Sequence, residues 1–321
     1  MSAPDWRPSA SLGALRARAA LLALTRTFFA QRAVLEVETP QLGHTSVTEP
    51  AIESLTVPFG HTMRYLQTSP EYAMKRLLAA GSGDIYQVAR VFRAGEAGRR
   101  HSPEFTLLEW YRCGFDLAAL IDETLEYICH ALGRTPAVQV FRYHDLLRAR
   151  IGIDFVANTD AELRVALART LAGTPPAALL QFDRAALLDL AYDTALRQLN
   201  EGMLVVRDFP PAAAALARLA EDADGRVVAQ RFEVIVDGLE VANGYYELTD
   251  AAEQANRFAA DNARRLAAGQ PQIAPDALLL AALAAGLPDC AGVAVGLDRL
   301  LMLKLGAGHI AEVLSFDSAR A

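Results

Sequence analysis

The chain has 321 residues, 52% of them hydrophobic and 21% charged, with a formal net charge of −7. That apolar content excludes a disordered class and suffices for a sizeable core, in one large domain or one domain carrying an insertion. The acidity argues against a surface built to coat nucleic acid, since Lys and Arg dominate that binding, although a local basic patch can serve an acidic protein.

From Leu12 to Arg32 the apolar residues Leu15, Ala19, Leu22, Leu24, Phe28 and Phe29 recur at roughly helical spacing among arginines, which predicts an amphipathic helix. It runs into Val34, Leu35 and Val37, which are strand-like until Pro40 stops regular pairing. Short strands are expected around Leu55–Phe59 and Arg64–Gln67. A helix Pro70–Ala80 follows, with Ser69 as N-cap and Pro70 at its first position. Strands Ile85–Arg93 and Phe105–Arg112 flank the polar loop AGEAGRRHSPE, and Asp116 caps a helix running to about Leu132.

Residues from about Tyr143 to Asn200 are rich in Ala and Leu and read as a helical insertion (143–200) within a single domain spanning 1–321. Asp237-Gly238 then gives the strongest hairpin signal, inside RFEVIVDGLEVANGYYEL. Helices are expected near Ala251–Ala267 and Asp276–Ala285, then a strand GVAVG opening into helix Leu297–Leu305. Hairpins instead of regular strand-helix-strand alternation predict an α+β fold, an antiparallel sheet flanked by helices, and GVAVGLDRL lacks the spacing of a dinucleotide-binding turn. The longest apolar stretch, Leu278 to Leu287, is too short to span a bilayer, and the N-terminus lacks the build of a signal peptide. A cytoplasmic enzyme with no membrane partner is therefore expected. Cys113, Cys129 and Cys290 lack metal-ligand spacing and read as ordinary thiols.

Several segments could carry chemistry. Arg93, Arg99, Arg100 and His101 crowd the loop between two strands, and Phe105, Glu109 and Tyr111 follow on the second. Arginine forks match phosphate oxygens in pairs and an aromatic can stack on a base, so the loop can clamp a triphosphate; a solvated basic hairpin is the alternative. Glu233 and Glu240 flank the hairpin turn and Glu247 adds a third acid. They suit Mg²⁺ beside phosphates, or are exposed strand-face glutamates. Glu71, in the first turn of a helix, contacts a ligand or merely complements the helix dipole. Gly296 would let a ligand approach the backbone, and Arg299 could reach a phosphate.

In this order the segments resemble class II aminoacyl-tRNA synthetases, specifically the lysyl subgroup, over nearly the whole chain. ALRARAALLALTRTFFAQRAVLEVETPQL looks like motif 1, VFRAGEAGRRHSPEFTLLEWY like motif 2 and GVAVGLDRLLML like motif 3. TSPEYAMKRLL and FEVIVDGLEVANGYYELTD are similar to lysine-subgroup segments. Motif 1 begins at Ala14, which leaves no room for an anticodon-reading domain ahead of it, and no tRNA substrate is expected. MKRLL, PEFTLLEWYR, EVANG and LPDCAGVAVGLDRL are similar to the elongation factor P lysine ligase family, whose members join (R)-β-lysine to a lysine side chain of a tRNA-shaped protein.

The resemblance implies ATP and Mg²⁺ as cofactors, elongation factor P as protein substrate, and a homodimer. It implies that Arg93 holds the α-phosphate and the substrate carboxylate, that Arg100 and His101 hold the distal phosphates, and that Phe105 covers the adenine. Arg299 takes the opposite face or the γ-phosphate; Ala94, Gly95, Ser102, Val241 and Gly296 complete the ATP site; and Glu233 and Glu240 bind Mg²⁺, Glu240 also touching ATP. Ser69, Pro70 and Glu71 surround the amine near the substrate carboxyl group, Asn243 assists with the carboxylate, and Glu109, Tyr111 and Glu247 receive the distal ammonium.

An acid-lined pocket follows independently from the cost of leaving a buried ammonium without carboxylate partners. Two stretches depart from the family's pattern. Arg93-Ala94-Gly95 replaces Arg-Asn-Glu, a loss that Glu96 makes good if the loop shifts by one residue, and Ser102 replaces Asn. Ala294 stands where lysyl-tRNA synthetases have Gly, which favours a β-amino substrate. The alternatives are a small-molecule amide ligase and a catalytically impaired paralogue acting as a binding subunit.

Overall fold

The computed structural model describes residues 6–171, 174–198 and 201–321. In chain order the first elements are α1 (Leu12–Ala30), β1 (Leu35–Glu36), β2 (Leu42–Gly43), β3 (Thr56–Phe59), β4 (Thr62–Leu66), α2 (Glu71–Ala79), β5 (Ile85–Phe92), β6 (Glu104–Cys113) and α3 (Leu117–Leu132). Next come β7 (Val138–Arg142), α4 (Tyr143–Ile151), α5 (Asp160–Thr170), α6 (Arg184–Leu196), β8 (Met203–Phe209), β9 (Leu219–Glu221) and β10 (Val227–Val236). The chain closes with β11 (Leu239–Tyr246), α7 (Ala251–Ala267), α8 (Ala277–Gly286), β12 (Cys290–Gly296) and α9 (Leu297–Leu305). This is the expected α+β class, with mostly antiparallel pairing. Among the described residues no helix is long and apolar enough to cross a membrane.

Contacts divide the chain into two compact units, one of residues 1–135 with 244–321 and the other of residues 136–243. In the first unit the strands run in the order β1, β5, β6, β12, with only β1 and β5 parallel. Strands β2, β4 and β3 form a separate small sheet. Side chains alternate across a strand, so β6 has two faces with different duties. Leu108 and Trp110 point into an aromatic core. There Phe29 of α1 stacks on Tyr86 at 4.3 Å between ring centres and on Tyr127 at 6.0 Å, and meets Trp110 edge-on. Phe105, Leu107, Glu109 and Tyr111 occupy the opposite face, which carries the candidate site.

Two capped helices lock the core side. Ser11 accepts the Ala14 N–H at the start of α1, and Asp116 accepts the Ala119 N–H at the start of α3, as its sequence position predicts. The start of α2 differs from expectation. Pro70, without a side-chain cap, is its N-cap, and Ser69 stands one residue further out. The Ser69 hydroxyl still accepts the Glu71 N–H at 3.0 Å and donates to Glu109 Oε2 at 2.8 Å, pinning the helix to β6.

In the second unit β7 pairs in parallel with β8, and β8 and β9 pair antiparallel with β10. Helices α4, α5 and α6 pack against one another within the stretch expected to be helical; residues 172–173 and 199–200 of that stretch lie outside the described residues. Asp237 and Gly238 both have positive φ, 48° and 72°, which is the two-residue hairpin turn that this dipeptide favours. The chain then passes along β11, whose residues from Gly244 onward belong to the first unit.

Candidate active site

On the pocket face of β6, Tyr111 donates its hydroxyl to Glu109 Oε1 at 2.6 Å, while Ser69 donates to the other oxygen of the same carboxylate. Helix α2 contributes Glu71 and, one turn later, Lys75, whose Nζ lies 2.7 Å from Glu71 Oε1 and 2.6 Å from Glu247 Oε2. The Glu247 backbone N–H is held by the Cys290 carbonyl at 3.0 Å. Glu109, Glu247, Lys75 and Tyr111 are each at most 2% exposed. Five residues expected to bind substrate, Ser69, Glu71, Glu109, Tyr111 and Glu247, thus form one connected cluster, and Pro70 caps the helix beside them.

The cluster is short of positive charge, with three carboxylates facing one ammonium. Burial first, then repulsion from Glu71, pushes Glu109 up to about 7 against the pull of the Tyr111 and Ser69 hydrogen bonds. Burial pushes Glu247 up to about 8 although Lys75 opposes it. Burial lowers the proton affinity of Lys75, but the adjoining Glu247 and Glu71 more than reverse this and keep it charged. Tyr111, buried and ringed by the same acids, is held protonated and remains a donor. A cationic ligand relieves all of these strains together.

Close backbone approach makes the pocket possible. Gly292 pairs with Tyr111 and Ala294 with Glu109 across β6 and β12. A Cβ on Gly292 would stand 2.3 Å from the Tyr111 ring and 2.7 Å from Glu247 Oε1, so both side chains need glycine there. Ala294 packs with Phe105 against Ala89, Val91 and Leu107, narrowing the same face.

Farther along β6 lies the cationic end. The Arg93 guanidinium carbon sits 5.2 Å from the centre of the Phe105 ring, and its Nε reaches the Thr68 carbonyl at 3.3 Å, next to Ser69. Arg93 therefore stands between the acids and the cations. Arg299, in the first turn of α9, donates to His101 Nε2 at 2.7 Å and to the Arg100 carbonyl at 3.5 Å. Burial and then the Arg299 charge lower the His101 pKa, which leaves its ring able to accept that bond. From Phe105 to Glu109 is about 14 Å at the usual strand rise, roughly the span of a small amino acid joined to a phosphate.

Ser102 is buried, and the Ala94 N–H is taken by the Glu53 carbonyl. Gly95 has a φ of +77°, which few other residues adopt. Glu96 lies 3.5 Å from Arg93, so an acid does reach that arginine from one position past the family's usual place. Gly296 is the N-cap of α9, just ahead of Arg299.

Glu233, Glu240, Val241 and Asn243 lie in the second unit. Buried Glu233 accepts from Tyr192 at 2.8 Å and pairs with Arg231. Glu240 is exposed on β11, Val241 is buried and Asn243 is half-buried. The Tyr192 hydroxyl is held protonated by burial, by the bonded Glu233 and by the charge of Glu240. Two hard oxygen donors of this kind fit Mg²⁺, which takes one or two carboxylates and completes its shell with water and phosphate. Among the described residues no group of three or more potential metal ligands gathers anywhere.

Sequence reasoning overlooked Lys75. A lysine four residues after a glutamate reads as a surface helix pair, and only burial turns it into a part of the pocket.

Residues 3–320 match the family described as tRNA synthetases class II (D, K and N), and the chain belongs to that family. Within that class its similarity is closer to particular proteins. It is 45% identical over 330 aligned positions to the Elongation factor P--(R)-beta-lysine ligase of Vibrio cholerae serotype O1, with 100% of both chains covered. Proteins of the same name from Salmonella dublin and Salmonella paratyphi B are 44% identical, with 98% of each chain covered.

Proposed function

We propose that this protein activates (R)-β-lysine, or lysine, with ATP and transfers it to a lysine side chain of elongation factor P. The observation that carries this reading is the buried pair Glu109 and Glu247, with the half-buried Glu71, around the buried cation Lys75, a pocket that calls for a ligand rich in ammonium groups. The full-length similarity to ligases of that name supports the acceptor.

In the first step a carboxylate oxygen of the amino acid attacks the α-phosphorus, the bond to the β-phosphate oxygen breaks, and pyrophosphate leaves. Arg93 would bridge the reacting carboxylate and phosphate, and Arg299 with His101 would offset charge on the distal phosphates, a reading supported by the Arg93–Thr68 and Arg299–His101 bonds. His101, neutral in the free site, gains a proton more readily once phosphates lie beside it. Mg²⁺, when bound by Glu233 and Glu240, would supply further charge neutralisation on phosphate oxygens. In the second step the acceptor amine attacks the acyl carbon, the bond to AMP breaks, and an amide forms with loss of a proton. No covalent enzyme intermediate is needed; positioning and electrostatics suffice.

A cytoplasmic homodimer that uses no tRNA completes the proposal, and α1 with the exposed Leu12 and Leu35 is its candidate contact. An impaired paralogue is disfavoured by Glu96, which restores an acid next to Arg93. The test is intact-mass spectrometry of elongation factor P after incubation with the protein, ATP, Mg²⁺ and β-lysine or lysine. One added aminoacyl group is expected; an unmodified factor together with charged tRNA would overturn the reading.

A further inference from the structure

Lys75 takes no part in the chemistry just described. Its ammonium is 1% exposed, held by two carboxylates, and attached to the same helix as one of them. The charged and titratable groups of this pocket are Glu71 and Lys75 from α2, Glu109 and Tyr111 from β6, and Glu247 beyond β11. Helix α8, which packs on α2, has no charged side chain within Ala277–Gly286, while its N-cap Asp276, with Asp261, Glu49 and Glu71, acts on the buried Tyr72 of α2. Three carboxylates less one ammonium leave a deficit of two positive charges. A diamino acid carries two ammonium groups once its carboxylate has gone to the arginine end. We propose that Lys75 is a positioning residue that fixes this deficit at two, so that the pocket accepts a doubly charged chain and rejects a singly charged one.

Two features favour this role over a structural pin. A hydrophobic residue would fill the same volume without meeting a carboxylate oxygen of Glu71 and of Glu247 at once. A compact ammonium can also meet Glu71 and Glu247 at once, holding both oxygens at fixed spacing for the substrate. Without it the deficit rises to three, and the buried acids take up protons instead of substrate.

The inference rests on the proposed amino-acid activation, and the experiment separates the two. Amino-acid-dependent pyrophosphate exchange is measured for wild type, Lys75→Met, Lys75→Gln and Lys75→Arg, with β-lysine, lysine and the mono-ammonium analogue norleucine. Profiles are taken from about pH 6 to about pH 9, with the KM for ATP and the melting temperature alongside. For the Met and Gln variants the KM for the diamino acid should rise about tenfold or more, and preference over norleucine should fall by a similar factor. The pH at which amino-acid binding develops should move upward, while the KM for ATP holds. Lys75→Arg, which keeps the charge, should restore the wild-type pH midpoint and preference.

No exchange by wild type with any of these amino acids overturns the functional reading and the inference together. Wild-type exchange with unchanged KM, preference and pH midpoint in Lys75→Met overturns the role of Lys75 alone. If neither neutral variant folds, Lys75→Arg decides, because a tenfold loss of preference with the charge retained would overturn it.

Discussion

Glu247 is held by Lys75 on one side and pressed by Glu71 and Glu109 on the other, and the balance makes it an acid that keeps its proton near neutrality. Its folded pKa, like that of Glu109, is raised above the usual carboxylate value of about 4.3. The folded state then binds more protons than the unfolded one, so the stability these groups contribute is present below that value. It is lost as pH rises through about 7 to about 8. The melting temperature of the ligand-free protein should therefore decline from about pH 5 to about pH 8. Glu247→Gln, which no longer titrates, should decline less steeply. Parallel curves for variant and wild type would remove Glu247 from the linkage. The same reasoning expects a diammonium ligand to stabilise the protein most at the alkaline end, where both carboxylates are charged.

Among elements, α1, β6 and α9 are clasped by one buried acid. Asp298, 2% exposed, accepts the Thr106 N–H of β6 at 2.6 Å and pairs with Arg18 of α1, which also reaches the Val313 carbonyl at 2.9 Å. Arg299 follows immediately, so the clasp sets where that arginine starts. Asp298→Ala should cost about 3 kcal/mol or more by leaving Arg18 without its carboxylate. Denaturant unfolding reads this out, and a loss under about 1 kcal/mol would show that the clasp contributes little.

These elements also show what the sequence made legible. The Asp237-Gly238 turn, the Asp116 cap and the GVAVG strand could be found because each depends on local chemistry, a turn dipeptide, a capping side chain or an apolar run. Strand β8, Met203–Phe209, was hidden because its apolar run MLVV has no alternation and adjoins a helical stretch. The acids of the pocket were legible through the family resemblance. Lys75 was not, because spacing along a helix does not reveal which face is buried.

At the scale of the whole molecule, α1 and β1 each present an exposed apolar residue, Leu12 at 68% and Leu35 at 55%. A symmetric interface would cover such a surface at no cost to the site. Light scattering on a sizing column should give about twice the chain mass of 34.6 kDa. A single-chain mass at micromolar concentration would remove the dimer.

Gly292 has a wider consequence for how this protein can diverge. Since the smallest side chain at that position would collide with Tyr111 and Glu247 together, a descendant with a neutral specificity cannot begin by filling the floor of the cavity. It has to discharge the acids first, passing through forms that grip neither the old ligand nor a new one.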